Sequence, residues 1–99
     1  MNRTAQDPNE EPKGPLVTLD GAKTLMKQGY PFWRIRIECK NEKSNKFWEI
    51  NGGGTGEYVV SRWGRIGHRG ASATITSTIA FQRLKNRLRR GYAYAGETL

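Results

Sequence analysis

Residues 58–70 read YVVSRWGRIGHRG. Successive side chains of a strand point to opposite faces, so Tyr58, Val60, Gly64 and Ile66 share one face, and Val59, Ser61, Trp63 and Arg65 the other. A strand buried on both faces sheds its charges. Here Arg62, Trp63, Gly64 and Arg65 stand side by side in the middle of the element, which points to a demand from outside the fold.

The flanking segments place this strand in a sheet. Upstream, Trp33, Ile35, Ile37 and Cys39 alternate with Arg34, Arg36, Glu38 and Lys40, the period-two pattern of a strand with one wet face. After the polar turn KNEKSN, the segment KFWEI (46–50) gives a second strand, with Trp48 and Ile50 on one face and Phe47 and Glu49 on the other. The glycine-rich NGGGTG (51–56) lacks both the G-x-G-x-x-G spacing and a terminal G-K-[ST], and no helix follows it, so it reads as a hairpin turn rather than a phosphate loop. Beyond the GHRG turn, ASATIT (71–76) is a fourth strand of small and β-branched residues. A helix follows, capped by Thr76 or Ser77 and stopped by Gly91, whose Ala80, Phe81, Leu84 and Leu88 form one apolar stripe. Residues 16–29, LVTLDGAKTLMKQG, admit two readings: LVTL as an edge strand, or Asp20 as the cap of a short helix ended by Gly29. The expected fold is α+β, an antiparallel sheet of about four strands with one C-terminal helix packed on it.

Composition narrows the partner. Ninety-nine residues, of which 35% are hydrophobic, suit one domain with a small core. The formal net charge is +8, and an unbalanced charge of this sign fits a polyanion, nucleic acid foremost. From Tyr58 to Gly96 the chain carries Arg62, Arg65, Arg69, Arg83, Lys85, Arg87, Arg89 and Arg90 and no Asp or Glu. Charge kept only for solubility mixes both signs, and arginine suits planar, bidentate contact with phosphate and base edges. On the helix, Arg83, Arg87 and Arg90 stack at i, i+4 and i+7, a mutual repulsion that an anion would relieve.

Residues 1–15 hold Pro8, Pro12 and Pro15 among polar side chains, the composition of a disordered arm, leaving 16–99 as the single domain. The arm is net −1, so the remaining 84 residues carry +9. Cys39 is the only cysteine, which excludes an intramolecular disulfide and a cysteine-cluster zinc site and fits a reducing cytoplasm. No apolar run reaches the roughly 20 residues needed to cross a bilayer, and the N-terminus has no secretory h-region; no membrane partner is expected.

In sequence order, SNKFWEI, YVVSRWGRIG, a glycine-containing turn, a short strand and a helix ending RLRRGY resemble the WGR domain, named for its Trp-Gly-Arg motif, here Trp63, Gly64 and Arg65. The similarity covers Trp33 to Gly96. That family is known from DNA-break-responsive poly(ADP-ribose) polymerases, from bacterial proteins similar to a molybdate metabolism regulator, and from small stand-alone bacterial proteins, which this chain most resembles. The resemblance implies an antiparallel sheet with one helix against it and contact with DNA near a strand end. It makes Trp63 the candidate for packing on the terminal sugar and Arg65 the candidate phosphate or partner contact. The chain departs from the family in a helix without glutamates and in a turn bearing His68 and Arg69, both favouring anion binding.

The candidate nucleic-acid-binding set is therefore Arg62, Trp63, Gly64, Arg65, His68, Arg69, Arg83, Arg87 and Arg90. Each has a plainer reading: Trp63 as a core tryptophan under the helix, His68 as an exposed turn residue, Trp33 and Trp48 as core on the isoleucine phase. Gly64 is expected to let backbone or a ligand approach closely between Trp63 and Arg65. No catalytic constellation, metal-ligand spacing, cofactor motif or small-molecule substrate site is visible; Ser61 and Ser72 lack a base to activate them. The expected function is a non-enzymatic module that binds DNA ends or nicks, RNA not being separable by sequence. The alternative is an interaction module whose Trp63 and Arg65 face docks an acidic protein domain.

Overall fold

A computed structural model describes residues 14–53 and 56–96; most of the segment read as an arm, residues 1–13, lies outside them. The elements are α1 (Leu19–Lys27), β1 (Trp33–Lys40), β2 (Asn45–Gly52), β3 (Tyr58–Arg65), β4 (Ala71–Thr76), α2 (Ser77–Arg89) and β5 (Ala93–Tyr94). The strands form one antiparallel sheet in the order β4-β3-β2-β1-β5. The α+β class and the C-terminal helix on the sheet are as expected, and a second helix and a short fifth strand are added.

Register follows from the hairpins. Ile35 faces Ile50 and Ile37 faces Trp48 across β1 and β2; Trp48 faces Trp63 and Ile50 faces Ser61 across β2 and β3. One face therefore carries Trp33, Ile35, Ile37, Trp48, Ile50 and Val59, all essentially sealed from water. Both helices contribute to the cluster on this face, α1 through Ala22 and α2 through Ala80 and Leu84. Trp33, fully buried in it, meets Phe81 of α2 at a ring separation of 6.1 Å.

The ambiguous segment resolves into parts of both readings. Leu16 makes a parallel bridge to Arg34, with Val17 N–H donating to the Arg34 carbonyl and Arg34 N–H to that of Pro15. The cap of α1 is Thr18 rather than Asp20: its hydroxyl accepts from the Gly21 N–H at 3.2 Å. Asp20 instead sits in the first turn, where a negative charge complements the helix dipole. Thr76 caps α2 by accepting from Ile79 N–H at 3.3 Å.

The second face of the sheet buries Glu49 and Asn51 beside Phe47 and Val60. Glu49 is only 2% exposed, and its carboxylate accepts from Arg36 and from Arg62 on the neighbouring strands. Both guanidinium groups also lie over the Phe47 ring, at 4.3 and 5.4 Å. A carboxylate so deeply buried is tolerable only with charged partners. Arg36 reaches on to Glu38 at 2.9 Å and Lys40 adds a contact at 3.4 Å. Burial alone pushes the Glu38 carboxyl up, but the hydrogen bonds and charges of Arg36 and Lys40 outweigh it and hold the group below its ordinary value. Burial likewise opposes the charge on Arg36, and Glu49 and Glu38 overcome it.

Candidate nucleic-acid interface

Trp63 lies on the helix-bearing face, yet it is 40% exposed. The reason is the path of α2, whose buried residues, Ala80 and Leu84, cover the middle of the sheet. Its last turn presents a charged residue to the sheet: the Arg87 guanidinium sits 4.7 Å from the centre of the Trp48 ring. Trp48 is thereby closed off at 2% exposure, while Trp63, directly opposite it and one strand further out, stays open.

An open groove of about 260 Å³ results, lined by Lys46, Phe47, Trp48, Trp63, Gly64, Arg87 and Tyr92. Lys46 faces Arg65 across β2 and β3, and both are exposed. The Lys46 ammonium lies 5.8 Å from the centre of the Tyr92 ring. The groove thus has two aromatic surfaces, Trp63 and Tyr92, cations from both strands and from the helix, and no carboxylate in its lining. Such a site can hold a planar apolar or π-bearing group beside an anion.

The expected residues do not all gather here. Trp63, Gly64 and Arg87 line the groove, and Arg65 stands beside it opposite Lys46. Arg83 and Arg90 are exposed on α2, one turn before and three residues after Arg87. His68 and Arg69 are exposed in the turn between β3 and β4, where His68 N–H donates to the Arg65 carbonyl. Arg62 points to the opposite face and is held by Glu49, away from the groove.

Of the two approaches expected at Gly64, backbone or ligand, the geometry shows that of backbone. The Gly64 backbone lines the groove, but the space its missing side chain leaves is taken by Gly70: a Cβ on Gly64 would lie 2.8 Å from the Gly70 Cα. Gly70 in turn has φ +74, and a Cβ there would fall 2.1 Å from the Trp63 carbonyl oxygen. The close approach that Gly64 permits is that of the chain to itself, and it locks the turn behind Trp63.

Lys46, Phe47, Trp48 and Tyr92 are the lining residues absent from the set expected from sequence. Lys46 was legible in principle, since it shares the strand phase of Trp48. Tyr92 enters the sequence only as the last residue of the RLRRGY stretch that carries the resemblance, with no role assigned to it.

A family model described as the WGR domain matches residues 30–97. The chain belongs to the WGR family. It is thereby a member of a family of nucleic-acid-binding modules. Among solved structures, the WGR domain described here is similar to a protein from Bacteroides fragilis at 20% identity and a TM-score of 0.56, over 64% of this chain and 19% of the other. That likeness concerns the fold, and this chain spans about a fifth of that protein's length. No curated protein matches the chain.

Among the described residues no helix is long and apolar enough to cross a membrane, and no three His, Cys, Asp or Glu side chains gather as a metal site.

Proposed function

We propose that this WGR domain binds DNA at ends and nicks, with Trp63 packed on the exposed terminal sugar or base and with Lys46, Arg65 and Arg87 contacting the adjoining phosphates. Arg83 and Arg90 extend the contact along the backbone from the helix. The observation that carries this reading is the half-open Trp63 indole beside Arg87, Lys46 and Tyr92. An aromatic face beside a row of cations suits an unstacked nucleotide next to its phosphate. Phosphate contacts set affinity and register but not sequence preference, so the domain reads structure rather than base order. The module does no chemistry: Ser61 is buried, with its hydroxyl donated to the Ala73 carbonyl at 3.3 Å, and His68 is exposed in its turn.

The test is a titration of the intrinsic tryptophan fluorescence with nicked, blunt-ended, hairpin-closed and single-stranded oligonucleotides at two salt concentrations. The expected result is tighter binding wherever an end is free, with quenching that is lost in Trp63→Phe. Equal affinity for an open duplex and one closed by hairpins at both ends overturns the end-binding role. An acidic protein partner retained at moderate salt, with DNA held only as any basic protein holds it, favours the interaction module instead.

A further inference from the structure

The two edges of the sheet are treated differently. On the β1 side, the outer backbone is covered along its length: Pro15 and Val17 bond to Arg34, and β5 pairs with Ile37 and Glu38 while Ala95 N–H donates to the Arg36 carbonyl. On the other side, β4 ends the sheet, and among the described residues no strand pairs with its outer edge. Folded proteins guard such edges with charges, proline, bulges or a short strand. β4 has none of these: ASATIT is six residues long, uncharged and without proline, and it pairs with β3 in unbroken register from Tyr58–Thr76 to Trp63–Ala71.

The ladder also says which groups are free. Ser77 N–H donates to the Glu57 carbonyl, which makes that position a hydrogen-bonded pair. Hydrogen-bonded and non-bonded pairs alternate along an antiparallel ladder. Ala71, Ala73 and Ile75 therefore turn their backbone groups toward β3, and Ser72 and Thr74 turn theirs outward. The side chains alternate as well, with Ala71, Ala73 and Ile75 on the helix-bearing face and Ser72 and Thr74, both exposed, on the other.

We propose that this edge is a self-association surface on which a second copy of the chain docks β4 against β4, antiparallel, about a two-fold axis at Ala73. In that register Ser72 of each copy faces Thr74 of the other, the outward donors and acceptors of these four residues pair in four main-chain bonds, and Ala73 meets Ala73. Serine and threonine directly opposite each other form a favourable cross-strand pair, and Ala71 opposite Ile75 leaves no steric conflict on the helix side. A second copy satisfies the edge from Ser72 to Thr74, because the strand there is complementary to itself in donors, hydroxyls and size; Thr76, the cap of α2, lies beyond the paired stretch. The arginine nearest on the adjoining strand, Arg62, is already paired with Glu49. The remaining opposition is the net positive charge of each domain, so the dimer strengthens as salt rises, opposite to the weakening of nucleic-acid contacts by salt. An interface built on one strand falls below the roughly 1,200 Å² of stable complexes, so the association is weak and dynamic. It places two Trp63 grooves in one particle, as needed to hold two nucleic-acid ends together.

Sedimentation velocity on the free protein over a concentration series, at low and at high salt, is combined with amide exchange by NMR. The expected result is a dimer that grows with concentration and with salt. The Ser72 and Thr74 amides should exchange about tenfold more slowly once the dimer is populated, while Ala73 and Ile75 are protected throughout. Thr74→Pro removes an outward donor and no bond to β3, and proline is tolerated at such edge positions; Thr74→Lys adds a charge to an exposed side chain. Both variants, checked for native circular dichroism, should remain monomeric. A monomer at every concentration and salt overturns the proposal, as does a dimer unaffected by both variants, or slowed Ser72 and Thr74 exchange that appears only with an added extended peptide. No nucleic acid enters the measurement, so its outcome is separate from that of the end-binding titration.

Discussion

The Arg87 guanidinium lies over the Trp48 indole, 4.7 Å from its centre, and this one contact both closes the core and places a cation at the groove. A cation over a tryptophan face is worth on the order of 0.5–2 kcal/mol, more when desolvated. Arg87→Ala is expected to lower stability by about 1 kcal/mol and to reduce the salt dependence of DNA binding by about one charge. Arg87→Lys keeps the charge but loses the planar stack, so its salt slope should match the parent's while its affinity falls. Binding isotherms at several salt concentrations separate the two; a lysine variant indistinguishable from the parent removes the positioning role of Trp48.

Trp63 is exposed enough that its removal costs little in folding and much in binding. Trp63→Ala should weaken binding to an open-ended duplex by about 1–3 kcal/mol, the usual worth of an aromatic stack on a nucleotide. Binding to a duplex closed at both ends should hardly change, because the phosphate contacts survive. With five to seven phosphates neutralised, the slope of log K against log salt on duplex DNA is expected at about −4 to −6 for the parent and the variant alike. Anisotropy titrations on paired substrates give both quantities.

Gly64→Ala is a stability variant rather than a binding variant. The added methyl would lie 2.8 Å from the Gly70 Cα, and backbone cannot rotate away as a side chain can. Overpacking of this kind costs about 1–3 kcal/mol. Urea denaturation should show a lower midpoint, with end affinity per folded molecule within about twofold of the parent, a difference of only some 0.4 kcal/mol. A midpoint equal to the parent's shows that the turn yields and that Gly64 serves the ligand after all.

The same contact shows where the sequence ran out. Alternation placed β1 to β4, and apolar spacing placed α2, because each is a local, periodic signal. The register that sets Trp48 opposite Trp63 and Lys46 opposite Arg65 depends on where the NGGGTG hairpin turns, which no periodicity states, so Lys46 went unread. Arg62 looked equivalent to Arg65 because the two stand three residues apart; an odd spacing sends them to opposite faces, and the partner that holds Arg62, Glu49, is far away in sequence. The extension around Leu16 and the two-residue β5 are defined by long-range bonds to β1, and segments so short leave no pattern of their own.

Glu49 joins β1, β2 and β3 through charge alone, and its neutral analogue should show it. Glu49→Gln leaves Arg36 and Arg62 sharing a buried position without the carboxylate, and since both guanidinium groups keep some access to water the cost is set at about 2 kcal/mol, below that of a fully buried broken pair. Acid acts on the adjoining Glu38. Its folded carboxyl titrates below the ordinary value of 4.5 because Arg36 and Lys40 favour the charged form over the opposing effect of burial. As pH falls past that ordinary value the unfolded chain takes up the proton first, so the contribution is fully present above it and is lost as pH drops through the lowered folded value. Thermal melts from about pH 7 down to about pH 3 should therefore decline less steeply in Glu38→Gln than in the parent. Parallel curves for the two proteins would mean that the Arg36–Glu38 contact contributes nothing to the folded state.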